Sequence, residues 1–151
     1  MKLFSLETCF YKAHSLYEKG HRRRASLLSF WYNTLHACDI PCSVSIGKGV
    51  KFAHRGLGVV INKGTTIGEN CMIFHGVTIG GRGGTHKNDQ PVIGNDCFIG
   101  CHATIIGRVV IGDKVTVGAN SVVLNDIPSG ETAAGVPARI ISKPVGPETK
   151  F

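Results

Sequence analysis

An aliphatic residue returns at every sixth position between residues 93 and 127: Ile93, Ile99, Ile105, Ile111, Val117 and Val123. A helix repeats near 3.6 residues and a simple strand alternates at about 2. A period of six therefore excludes both as continuous elements. The phase extends backwards through Ile40, Ile46 and Phe52, and again through Ile61, Ile67, Ile73 and Ile79. The step from Ile79 to Ile93 enlarges one hexad into an insertion at 80–92. Gly follows the aliphatic residue at Gly47, Gly68, Gly80, Gly94, Gly100, Gly112 and Gly118, and a small or β-branched residue comes three places later. Each hexad reads as a short strand with the aliphatic side chain inward, then a corner whose backbone angles need Gly. Three hexads close one triangular coil of about 18 residues, and coils must stack because none buries its inner face alone. The predicted fold is mainly β, a parallel β-helix over 37–131, and a period-two sandwich does not fit so many positions in phase.

Residues 1–36 follow another rule. Leu6, Phe10, Ala13 and Tyr17 recur at helical spacing before Gly20, and Leu27, Leu28, Trp31 and Leu35 form a second such series. Two short helices are expected to pack these faces on the start of the β-helix. His21, Arg22, Arg23 and Arg24 lie between the two and read as a solvated helix start, with contact to an anionic partner as the alternative. Residues 132–151 are expected to form a cap and a polar tail. No stretch of about 18 apolar residues implies a transmembrane helix, and residues 1–14 lack the pattern of a secretory signal. A cytoplasmic protein without an integral membrane segment is the expectation. The net charge of +7 favours anionic partners, but aromatics are too sparse for a nucleic-acid surface. Cys38/Cys42 and Cys97/Cys101 have three intervening residues, unlike common zinc pairs. The six cysteines read as small buried thiols, and no metal is expected.

Chemistry is expected where the repeat breaks. His54 interrupts the hexad begun by Phe52, with Gly56 and Gly58 beside it and Asp39 fifteen residues earlier. In a coil of about 18 residues that separation returns near the same side, where a carboxylate orients an imidazole and stabilises its cation. The Gly-rich insertion 80–92 offers backbone N–H groups to oxyanions. Past Ala134, Arg139 and Lys143 are cations suited to phosphates.

The hexad pattern resembles the hexapeptide-repeat acyltransferases, and the resemblance implies a left-handed β-helix. HGVTIGGRGG, GANSVVLNDIP and AAGVPARIISKP resemble the serine acetyltransferase branch, CDI with FAHRGLGVVI is similar to its catalytic segment, and the likeness covers about residues 10–144. It implies acetyl-CoA as co-substrate, His54 as general base and Asp39 as its orienting partner. A backbone N–H near Gly80 or Gly81 would serve the oxyanion. CoA would lie between neighbouring chains of a homotrimer, against Gly80, Gly81, Cys101, Gly118 and Ala119, with its phosphates near Arg139 and Lys143.

The acceptor is read from the departures. The serine branch has Asp before the catalytic His, where Ala53 stands here. Its loop carries an Arg–His pair before a Pro that helps hold the serine carboxylate; Asp89 and Gln90 stand before Pro91 here. Its helical region is also longer. Losing cations should weaken binding of free serine. His75 and His86 remain as further acceptor contacts. The short helical region and HGVTIG followed by Arg-Gly also resemble the small acetyltransferases of exopolysaccharide and capsule synthesis. A sugar hydroxyl is therefore the expected acceptor, with serine as the alternative. A non-catalytic β-helix scaffold would not need both His54 and Asp39. A hexapeptide carbonic anhydrase would need three His ligands on a metal, with His54, His75, His86 and His102 available, but AGVPARIISKP favours CoA.

Overall fold

A computed structural model describes residues 5–83 and 89–141. The hexads form a left-handed parallel β-helix with three stacked sheets. One sheet stacks β1 (Ser45–Ile46), β4 (Thr66–Ile67), β7 (Val92–Ile93) and β10 (Val110–Ile111). The second stacks β2 (Lys51–Phe52), β5 (Met72–Ile73), β8 (Phe98–Ile99), β11 (Thr116–Val117), β13 (Thr132–Gly135) and β14 (Ala138–Ile141). The third stacks β3 (Val60–Ile61), β6 (Thr78–Gly80), β9 (Thr104–Ile106) and β12 (Val122–Val123). All neighbours are parallel except β13 and β14, which pair as an antiparallel hairpin at the C-terminal end. The register aligns the hexad residues coil upon coil: Phe52 with Ile73, Ile73 with Ile99, Ile99 with Val117, Val117 with Ala133. Their side chains fill the prism and are buried, as are Val50, Cys71, Val77, Cys97, Ala103, Val109, Val115 and Ser121.

The corner glycines have a different cause from the expected one. Gly47, Gly68, Gly94, Gly100 and Gly112 have ordinary φ; a Cβ on Gly68 would lie 2.6 Å from the carbonyl carbon and oxygen of Gly94. These glycines let successive coils approach to hydrogen-bonding distance. The left-handed conformation falls two residues later, at Gly49, Asn70, Asp96 and Lys114 on one corner and at Gly76, His102 and Asn120 on another. Asn and Asp tolerate it best after Gly.

Helix α1 (Leu6–Glu18) closes the N-terminal end by burying Leu6, Phe10 and Ala13. Its polar groups satisfy the first coil: Tyr11 donates to Gly47 O, and Phe52 N donates to Glu7 Oε1 at 2.9 Å. Helix α2 (Arg22–His36) packs against α1 with a different face from the expected one, of which only Leu28 is partly buried against the core. Ala25, Ser29, Tyr32 and His36 are buried, whereas Leu27, Trp31 and Leu35 face outward. Tyr32 explains the choice, because its hydroxyl donates to Ile40 O at the entry to the β-helix. The small Ala25 and Ser29 allow close approach to α1. All six cysteines are free thiols.

Candidate functional site

The coil that carries His54 is longer than a regular one: Lys51 pairs with Met72, 21 residues on. The extra residues make the turn Ala53–Gly56, where His54 and Arg55 are both left-handed (φ 53° and 60°), followed by Gly56 and Gly58 at φ 70°. Two consecutive left-handed non-glycine residues are unfavourable by roughly 1–2 kcal/mol each. Such strain persists where the surroundings enforce it and concentrates at working sites. The turn lifts the His54 imidazole into solvent at the corner between the second and third sheets, while Gly56 packs beneath Leu6.

A column of rings continues along this corner. His54 lies edge-to-face on His75 with centroids 4.9 Å apart, and His75 on His102 at 5.1 Å. Phe74 stands 6.2 Å from His54 and 5.0 Å from Phe98. The His102 N–H donates to His75 O at 3.0 Å, which fixes the upper two rungs. His75 is half-buried, and its Nδ1 is buried without a partner among the described residues. Sequence reasoning gave His102 only a metal-ligand role. The column depends on the register across the 80–92 insertion, which spacing does not reveal. Among the described residues no three His, Cys, Asp or Glu side chains cluster as a metal site.

Asp39 takes a place on the third sheet. It bridges to Val60, with its N–H on Val59 O at 2.8 Å and its carbonyl accepting from Ile61 N at 2.9 Å. Asp39 is therefore an added rung above β3, on the flat face that follows the His54 corner. Among the described residues no hydrogen bond links Asp39 to His54. Asp39 lines a cleft of about 450 Å³ with Val60, Thr78, Gly80, Gly81 and Ile106. The expected site residues thus divide along the third sheet. Ala53, His54, His75, Cys101, Gly118 and Ala119 lie at one edge, and Gly80 and Gly81 at the other. Gly76 to Gly80 alone spans about 13 Å of strand.

The insertion leaves β6 at Gly80 and re-enters at Val92; residues 84–88, with His86, lie outside the described residues, as does Lys143. Asp89 holds the base of the insertion, accepting from Arg108 N at 3.0 Å and Arg82 N at 3.4 Å. Gln90 is wedged between Gly64 and Gly81, with its Oε1 buried and unpartnered among the described residues. The Gly81 N–H has no partner among the described residues. Arg139, on β14, is exposed, and among the described residues its guanidinium bonds only its neighbour's carbonyl, Ala138 O, at 3.0 Å.

A strained exposed imidazole on a hexapeptide β-helix defines a class, and comparison with known proteins agrees. The family model "Bacterial transferase hexapeptide (six repeats)" matches residues 90–125. A serine acetyltransferase of Helicobacter pylori (strain J99) is 38% identical over 135 residues, covering 89% of this chain and 78% of its own. Soybean serine acetyltransferase complexed with serine superposes with a TM-score of 0.84 at 40% identity, over 90% of this chain and 56% of that one. The Brucella abortus serine acetyltransferase in complex with coenzyme A gives 0.88 at 32% identity, over 95% and 58%. The chain belongs to the serine acetyltransferase family of hexapeptide-repeat acyltransferases. It spans just over half the length of those two solved chains.

Proposed function

We propose that the chain transfers an acetyl group from acetyl-CoA to the hydroxyl of free serine, at sites formed between the subunits of a homotrimer. The relatives are named for serine, which supports this acceptor over the expected sugar. The observation that carries the chemistry is His54, raised on a strained turn with its ring exposed beside His75. His54 takes the proton from the acceptor hydroxyl as that oxygen attacks the acetyl carbonyl, and gives it to the CoA sulfur as the carbon–sulfur bond breaks. Asp39, a carboxylate on the third sheet beyond the His54 corner, is the nearby acid proposed to stabilise the imidazolium electrostatically.

The residues fit acetyl-CoA. Among the described residues the Gly81 N–H is unpartnered, Val60 and Ile106 give an apolar wall, and Arg139 presents an exposed guanidinium suited to phosphate. Acetyl-CoA supplies an activated thioester, so no covalent enzyme intermediate is needed. The Gly81 N–H and the His54 corner lie at opposite edges of one face. They can meet on one substrate when the edge of one chain faces the opposite edge of another, which supports the trimer.

One observation favours a saccharide hydroxyl instead. Asp89 is committed to backbone amides and Gln90 is neutral, so the described part of the insertion offers a serine carboxylate only Arg82. The deciding experiment measures CoA thiol release from acetyl-CoA with saturating L-serine, with His54→Ala in parallel. Turnover that disappears in the variant supports serine. No turnover while acetyl-CoA still binds would overturn serine and leave the saccharide reading. Light scattering that gives an active monomer would overturn the inter-subunit site.

A further inference from the structure

Helix α2 is built inside out. Its buried face holds Ala25, Ser29, Tyr32 and His36, while Leu27, Phe30, Trp31 and Leu35 are 61, 62, 62 and 66% exposed. These four lie three and four residues apart and form one continuous apolar stripe. Phe30 and Trp31 touch edge-to-face at 6.0 Å. One turn earlier on the same side stand Arg23 and Arg24, exposed like Arg22. No acidic residue occurs anywhere in Arg22–His36.

We propose that this face docks on an anionic lipid bilayer. The helix would lie in the interface plane, with its stripe at the boundary between headgroups and acyl chains and its arginines against lipid phosphates. The chemistry on the page selects this occupant. A helix with an apolar face of Leu, Phe and Trp and a basic terminus matches interfacial helices, and Trp prefers the headgroup level. A second copy of the chain would bring the same arginines with no acid on its α2, and each chain is already at +7. A soluble anion would use the arginines but leave the stripe in water. The length of α2, about 22 Å, lets the whole stripe contact one flat surface. Docking would direct the N-terminal end of the β-helix, and the His54 coil with it, toward the bilayer.

Trp31 is the only tryptophan in the chain, so its emission reports on this face alone. The full chain is titrated with vesicles of phosphatidylcholine and phosphatidylglycerol in equal parts, and with phosphatidylcholine alone. Flotation and Trp31 emission are read at low and high salt. The expected result is co-flotation and a blue shift with anionic vesicles, weakened by salt. Replacing Arg23 and Arg24 by Gln should lower the affinity roughly tenfold or more. Leu27→Ser with Leu35→Ser should abolish the shift. Both variants should keep the wild-type circular dichroism and turnover, which separates a failed docking surface from a failed enzyme assignment. Absence of flotation with anionic vesicles overturns the proposal. So does emission that is already blue-shifted without vesicles and changes with protein concentration, because a second copy would then cover the stripe.

Discussion

Replacing Gly68 by Ala tests why glycine recurs at the corners. Its φ is ordinary, so Ala suits the backbone locally and even reduces unfolded-chain entropy. On local grounds the variant should be neutral or stabilising. The coil stack says otherwise: the new Cβ would lie 2.6 Å from the C and O of Gly94 and 2.5 Å from Asn95 Oδ1. Restoring an ordinary contact of 3.4 Å requires the two coils to part by about 0.8 Å. The bonds Gly68 N to Ile93 O and Glu69 N to Asn95 Oδ1, both 2.8 Å, would stretch to about 3.6 Å, beyond useful range. Two such bonds are worth about 2 kcal/mol net, and absorbing the methyl without separation costs a similar 1–3 kcal/mol. A loss of about 2–3 kcal/mol corresponds to a melting shift of roughly 5–10 °C in a chain of this size. Urea and thermal unfolding followed by circular dichroism measure it, with exposed Lys48→Ala as a control expected within about 0.5 kcal/mol. A Gly68→Ala variant as stable as that control would refute the close-approach explanation.

His54→Ala should lower kcat by roughly 10²–10⁴-fold with the fold intact, and Asp39→Asn by a smaller factor; wild-type turnover in the first removes His54 as the base. Gln90→His should lower the KM for L-serine without raising kcat, because an imidazole can carry the positive charge for the serine carboxylate that the neutral amide lacks; an unchanged KM separates this position from acceptor binding. Alkaline pH should destabilise the chain from about pH 9 upward. Burial, reinforced by Asp39, lifts the Cys38 thiol from 9.0 to about 11, and burial also raises Cys42, Tyr11 and Tyr32. The unfolded thiols lose their protons first, so the folded state is favoured below pH 9 and loses that advantage as pH rises toward 11. A flat urea midpoint between pH 8.5 and about 10.5 would contradict this assignment.

The sequence by itself determined the β-helix. Only inward side chains repeat every six residues, so Ile93, Ile99, Ile105 and their counterparts specified the core without any long-range information. It also singled out His54 as a break in the repeat, because a polar residue among glycines has no role in a regular corner. The tertiary structure decided the rest. Helical spacing shows which residues of α2 share a side but not which side meets a neighbour, and the Tyr32 bond to Ile40 O favoured the smaller, more polar face. A glycine in a corner reads alike whether it supplies a left-handed φ or room for the next coil; the coil spacing chose room at Gly68 and left-handed φ at Asn70. The rung that Asp39 takes beside Val60, and the stacking of His102 on His75, depend on how many residues each coil holds. That count follows from strand register, which inter-coil hydrogen bonds establish and a one-dimensional repeat does not encode where it is interrupted.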